Sequence, residues 1–242
     1  MDTGEVILEV DGLQKRFGGV SAVTNLSLRI RAGKITGLIG PNGAGKTTFF
    51  NIVTGIYRPD SGRIIFSGKR IDRLRTYQIA QAGITRTFQT LNNFPRMTVF
   101  DNVRAGIIAQ NLPIKEEEQR VFEIIELLEI ANLAYKSVGD ITPVARRLVE
   151  VGRALVGNPK LVLFDEIMAG FNDEEASKLI AILVKYARND ISMCIIGHTM
   201  KAIMTISDEI IVMHQGTTFE QGSPSEIQSS TAVQNIYLGG HK

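Results

Sequence analysis

Apolar and polar residues alternate with different periods along this chain. Residues 34–39, 161–164 and 192–196 are rich in apolar residues, and read as short strands buried on both faces of a sheet. Residues 6–10 are strand-like, and residues 22–30 alternate in part; with 63–66, which follow a Pro59-Asp60-Ser61-Gly62 turn, they predict an antiparallel β-layer. Residues 209–213, a Gln215-Gly216 turn and residues 217–220 predict a terminal hairpin. Helical spacing appears over 47–55, which carries Phe49, Phe50, Ile52 and Val53, and over 114–133, which carries Val121, Ile124, Ile125, Leu128 and Leu133. Asp101-Asn102-Val103 opens a further helix, Thr142 and Pro143 offer a cap and first turn for a helix over 144–156, and residues 224–237 predict a closing helix and tail. There is no internal repeat or flexible linker.

Between the strand at 34–39 and the helix at 47–55 stands Gly40-Pro41-Asn42-Gly43-Ala44-Gly45-Lys46-Thr47-Thr48. It fits the phosphate-binding P-loop pattern G-x-x-x-x-G-K-[ST]. Glycines let the backbone curl so that successive N–H groups point at phosphate oxygens. Lys46 brings a compact positive charge to the β- and γ-phosphates, and Thr47 offers a hydroxyl to Mg²⁺. The following helix faces the same anion with the positive end of its dipole.

A second signal closes the strand at 161–165. Asp165 and Glu166 sit at its carboxyl end, where open α/β sheets bind ligands. Asp165 is suited to the Mg²⁺ shell and Glu166 to polarising an attacking water. Gln89 ends a strand-like segment, 84–89, and leads into a loop with Asn92 and Asn93; His198 follows the strand at 192–196. Phe17, beside Gly18 and Gly19, could stack on an adenine face or pack at a strand end.

Composition narrows the function classes. Across 242 residues, 44% hydrophobic and 21% charged suit a globular domain with a sizeable core. The net charge of +2, from 27 basic and 25 acidic residues, leaves no electrostatic footprint for nucleic acid. No apolar run is long enough to cross a bilayer and no signal peptide is evident, so a membrane role requires a partner. Cys194 is the only cysteine; it lies in a buried-strand pattern, and the chain is expected in the cytosol.

Together these residues resemble the ATP-binding subunits of ABC transporters, over nearly the whole chain. Phe17 matches that family's adenine-stacking aromatic, 40–48 its Walker A motif, Gln89 its Q-loop and 161–165 its Walker B motif. Glu166 matches the catalytic glutamate, residues 169–172 the D-loop, and His198 the switch histidine. Arg86-Thr87-Phe88-Gln89, Met168-Ala169-Gly170, residues 198–204 and the ending Tyr237-Leu238-Gly239 look like the branched-chain amino acid importer group.

The resemblance implies an α/β fold: a P-loop NTPase core with an antiparallel β-layer (1–89 and 156–242) and a helical subdomain (90–155) within one ATP-binding domain. It implies ATP and Mg²⁺ as cofactors. Asn42, Gly43, Ala44, Gly45, Lys46, Thr47 and Thr48 would hold the nucleotide with Phe17; Thr47, Gln89 and Asp165 would serve the metal; Glu166, His198 and Gln89 would act in catalysis. It further implies integral membrane permease subunits as partners and a location on the inner face of the cell membrane. Two such subunits would sandwich two ATP molecules, each between the P-loop of one subunit and the signature motif of the other.

One segment departs from the pattern. Where the family carries Leu-Ser-Gly-Gly-Gln, this chain has Ile141-Thr142-Pro143-Val144-Ala145. Pro143 has no N–H to give, and Val144 and Ala145 restrict backbone approach to a phosphate. This favours pairing with a different ATP-binding subunit over a homodimer. It also keeps open an alternative, a nucleotide-dependent regulatory or binding module with little turnover of its own.

Overall fold

The computed structural model describes residues 4–90, 92–187, 191–197 and 200–238. Its strands in chain order are β1 (Val6–Phe17), β2 (Val20–Arg31), β3 (Ile35–Ile39), β4 (Ser61–Phe66), β5 (Lys69–Arg70), β6 (Ile84–Arg86), β7 (Leu161–Asp165), β8 (Ser192–Ile196), β9 (Glu209–His214) and β10 (Thr217–Gly222). The α-helices are α1 (Lys46–Val53), α2 (Thr76–Ala82), α3 (Val99–Arg104), α4 (Ile114–Leu127), α5 (Pro143–Leu155), α6 (Asp173–Ala187), α7 (Met200–Ile206), α8 (Pro224–Ser229) and α9 (Thr231–Leu238).

Two sheets organise these elements. One is antiparallel in the order β2-β1-β4-β5, the expected β-layer. The other runs β10-β9-β3-β8-β7-β6; it is parallel from β9 to β6, and β10 closes it antiparallel to β9. The strands β3, β7 and β8 are buried at every position, which explains their mostly apolar sequence; Thr36, Asp165 and Ser192 are the buried polar exceptions.

Side chains of successive strand residues point to opposite faces, so each central strand feeds two cores. Ile35, Ile39, Val162, Phe164, Met193, Ile195, Ile210 and Val212 share one cluster with α3, α4, α5 and α6. Leu38, Leu161, Leu163, Cys194, Ile196 and Ile211 share the other with β1, β2, β4 and the aromatic face of α1. The helices of the 90–155 segment therefore pack into a core continuous with the sheet. Cys194 is fully buried in the second core, and burial pushes its thiol far above the ordinary value, as suits a packing residue.

Several elements depart from the sequence pattern. The helix expected over 114–133 ends at Leu127. Glu129 turns left-handed (φ 58°), which lets the Ile130 N–H reach the Ile125 carbonyl and sends the Ile130 side chain into the core. Residues 224–237 form two helices, because the Ser230 hydroxyl caps a new one by accepting from Val233 N–H. The helices α2, α6 and α7 were not anticipated. For α6 the signal was present: Asn172 and Glu175 bond reciprocally, each side chain to the other's backbone N–H at 2.9 Å. Leu179, Leu183 and Ala187 then recur every fourth residue as its buried face.

Candidate functional site

The strand β3 runs into the glycine-rich loop, and α1 leaves it. No side chain caps the N-terminus of α1 and its first turn holds no acidic residue, so its orphan N–H groups are directed into the loop for an anion to bind. Gly45 sits at φ 98°, and a Cβ there would collide with the Ala22 carbonyl oxygen of β2, so only glycine fits. Lys46 folds back and donates to the carbonyls of Gly40 (2.6 Å) and Pro41 (3.0 Å). Burial holds its ammonium below the ordinary lysine value, against the pull of Glu166 and Asp165.

A cavity of about 500 Å³ opens over this loop. Its lining comprises Val20, Ser21 and Ala22, residues 42–48, Gln89 and Glu166. Four separate stretches of sequence thus meet in one space. Every expected nucleotide-holding residue lines it except Phe17. That ring stands at the end of β1, 42% exposed, edge-on to Tyr57 at 5.1 Å. His198 lies outside the described residues.

Asp165 and Glu166 take different positions although adjacent. Asp165 is fully buried and does not line the cavity. Its Oδ2 accepts from Arg86 Nη2 at 2.7 Å, and its backbone N–H donates to Thr87 Oγ1 at 3.1 Å. Its Oδ1 is buried with no partner among the described residues. Burial raises the carboxyl above the ordinary aspartate value, and Arg86 opposes that. Glu166 is left-handed, φ 55°, a conformation that costs roughly 1–2 kcal/mol for a residue with a Cβ. Its N–H continues the sheet ladder to the Ile196 carbonyl (2.9 Å), while its own carbonyl accepts from Ala169 N–H (3.0 Å). Ladder and turn together hold the twist that places its carboxylate on the cavity wall, where it accepts from Gln89 Nε2 at 3.1 Å.

The donor set suits a hard cation. Thr47 lines the cavity and Asp165 keeps a buried oxygen without a partner, both oxygen ligands of the kind Mg²⁺ prefers. No group of three or more His, Cys, Asp or Glu among the described residues could hold a metal alone.

The loop after Gln89 is fastened to α5. Arg147 donates to the carbonyls of Phe88 (3.1 Å) and Gln89 (3.3 Å), and Arg153 to that of Asn92 (2.8 Å). Glu150, 1% exposed, accepts from Asn92 N–H (3.0 Å) and pairs with Arg147 (3.0 Å). The same helix begins at the segment that departs from the family pattern. There Thr142 Oγ1 accepts from Ala145 N–H at 3.2 Å, and Pro143 takes the first helical position. The expected cap is present, and it commits one hydroxyl lone pair within the chain.

Sequence reading missed Arg86, Asn51 and Thr87 around Asp165. Arg86 lies in an otherwise unremarkable strand end, and nothing in the spacing of residues points from it to a carboxylate 79 residues away. Only pairing of β6 with β7 brings them together.

Comparison with known proteins agrees with this geometry. A family model described as ABC transporter matches residues 23–169. The chain is 35% identical to the high-affinity branched-chain amino acid transport ATP-binding protein BraF of Pseudomonas aeruginosa, over 96% of this chain and 98% of that protein. It is 34% identical to LivG of Escherichia coli (96% and 98% covered) and 32% identical to a probable LivG of Archaeoglobus fulgidus (96% and 95%), both also branched-chain amino acid transport ATP-binding proteins by name. Among solved structures it is similar to a nucleotide-free ATP-binding cassette from an ABC transporter, with a TM-score of 0.87, 29% identity and coverage of 96% and 98%. It is also similar to the ADP conformation of an ATP-binding cassette of an ABC transporter, with a TM-score of 0.86, 30% identity and coverage of 97% and 99%.

Proposed function

Because this chain belongs to the ABC transporters as an ATP-binding, ATP-hydrolysing subunit, we propose that it powers a membrane importer for branched-chain amino acids or related small solutes. The observation that carries the site assignment is the single cavity where the uncapped start of α1, Lys46, Gln89 and Glu166 converge. The solute class rests on the names of the relatives. Those relatives are transport subunits and give no support to the regulatory alternative.

In this reading the loop amides and Lys46 hold the β- and γ-phosphates of ATP. Lys46 exchanges its bonds to the Gly40 and Pro41 carbonyls for bonds to phosphate. Thr47 and Asp165 would hold Mg²⁺, whose positive charge would stabilise the transferred phosphoryl group. Glu166 takes the proton of the water that attacks the γ-phosphorus, and Gln89 orients that carboxylate. His198 is assigned a supporting contact to the γ-phosphate, and Phe17 an adenine stack.

Replacing Lys46 by Ala is expected to weaken ATP binding roughly ten- to a hundredfold, since a hydrogen bond to a charged group is worth about 1.5–3 kcal/mol. Titration of the purified chain with a fluorescent ATP analogue measures it; equal affinity in both proteins would remove Lys46 from the site.

No helix among the described residues is long and apolar enough to cross a membrane. We therefore place the subunit on the inner membrane face, held there by permease subunits. The permease contact is assigned to the loop after Gln89 and the adjoining helical segment. Phe94 and Met97 are exposed there at 49% and 39%, on a loop tied both to the cavity through Gln89 and to α5 through Arg147 and Arg153. Crosslinks from a permease cytoplasmic loop are expected at residues 90–110. Crosslinks confined to residues 209–240 would move the contact elsewhere.

A further inference from the structure

Arg86 is the most enclosed cation beside the site, and no family motif gives it a role. Its side chain is 5% exposed and that of Asp165 0%. Its guanidinium uses all three nitrogens: Nη2 donates to Asp165 Oδ2 (2.7 Å), Nη1 to Asn51 Oδ1 (2.6 Å) and Nε to the Thr87 carbonyl (3.2 Å). The Phe50 and Phe88 rings approach it, with centroids 5.5 and 5.0 Å from its central carbon. Asn51 lies on α1, Asp165 on β7 and Thr87 directly after β6, on or beside the elements that carry Thr47, end in Asp165 and lead to Gln89.

A charge-assisted bond from Arg86 Nη2 to Oδ2 restrains the orientation of the Asp165 carboxylate. With Oδ2 committed to Arg86, Oδ1 is left as the one buried acceptor of this carboxylate without a partner among the described residues. Asn51 lies one helical turn after Thr47, so the same guanidinium also sets α1 against β7. We propose that Arg86 is a positioning residue for the cation site: by clamping Asp165 Oδ2 and Asn51 together, it presents Asp165 Oδ1 and the Thr47 hydroxyl jointly to Mg²⁺.

The clamp rests on the Mg·ATP assignment of this cavity. It predicts a separation of two affinities. Partners that orient a metal ligand typically change metal affinity about 10–100-fold when altered. The three hydrogen bonds of the Arg86 guanidinium go to Asp165, Asn51 and Thr87, all outside the phosphate loop. Nucleotide affinity without metal is therefore expected to survive its replacement.

The experiment measures the dissociation constant of a fluorescent ATP analogue with EDTA and again with excess Mg²⁺, for the unaltered chain, Arg86→Lys, Arg86→Gln and Asp165→Asn. Lysine keeps the charge without the fork, and glutamine keeps donors without the charge. The Mg²⁺ enhancement is expected to shrink by about tenfold or more in both Arg86 variants, with the EDTA constant within about twofold of the unaltered chain. In an Asp165→Asn background, Arg86→Lys should then change nothing further. An enhancement retained in the Arg86 variants overturns the clamp. So does an EDTA affinity that falls as far as the Mg²⁺ affinity, or a pair of variants that do not fold, since either assigns Arg86 to the fold alone. Absence of any Mg²⁺ enhancement in the unaltered chain would instead sink the reading of the cavity itself.

Discussion

Glu166→Gln is expected to abolish steady-state hydrolysis while leaving ATP bound. The amide keeps the size and the left-handed backbone of Glu166 and can still bond Gln89, but it has no basic oxygen for the attacking water. General-base catalysis contributes roughly 10²–10⁴-fold, equivalent to about 3–5 kcal/mol of barrier. The measurement is ATPase of the assembled transporter, with nucleotide titration as the control for binding. Turnover above about a tenth of the unaltered rate would move the base to another residue, because removing a true base costs far more than one decade.

The second large effect concerns the partner. This chain alone is expected to hydrolyse ATP slowly, and to become fast when mixed with a different ATP-binding subunit that keeps the glycine-containing signature. In the sandwich implied by the family, that motif acts on the partner's γ-phosphate through backbone N–H groups and a hydroxyl. Here Pro143 removes one N–H, and side chains stand at 143 and 144 where glycines would allow close approach. The Thr142 hydroxyl is still exposed to a partner, though one lone pair already serves Ala145 N–H. Losing one or two bonds to a charged group costs about 1.5–3 kcal/mol each, or roughly ten- to several hundredfold and beyond in closure-dependent rate. A homodimer carries that cost at both sites. A heterodimer carries it only at the partner's pocket, because the defect acts in trans. ATPase of the chain alone, of the mixture, and of Pro143→Gly/Val144→Gly decides the matter. Efficient cooperative hydrolysis by the chain alone, unimproved by the glycines, would falsify the heterodimer preference.

These expectations stand on different parts of the molecule. The phosphate loop was legible because its chemistry is local: the nine residues 40–48, with a strand before and a helix after, carry the pattern in one stretch. Asp165 and Glu166 were legible for the same reason, as polar residues ending an apolar strand. The cap at Thr142 and the proline after it were also local, and the structure contains both. The helix α6 had an equally local signal in Asn172, Glu175 and the every-fourth-residue apolar positions, and was overlooked rather than hidden. By contrast, the end of α4 depends on where Ile130 finds a core, which no local rule states.

The sequence by itself determined which groups are available: a loop of backbone donors with one lysine, two carboxylates at a strand end, a glutamine, and a signature segment without its glycines. What only the tertiary structure decided is which atoms remain to be used. Parallel pairing of β6 with β7 carries Arg86 to Asp165 and leaves one carboxylate oxygen bonded and the other without a partner among the described residues. Packing of α5 beneath the Gln89 loop lets Arg147 and Arg153 tie the cavity wall to the helical segment. The physical reason is one of range. Motif chemistry is set by neighbours along the chain, whereas the partners of a buried charge are set by whichever distant strand or helix shares its core, because leaving that charge unpaired away from water costs several kcal/mol.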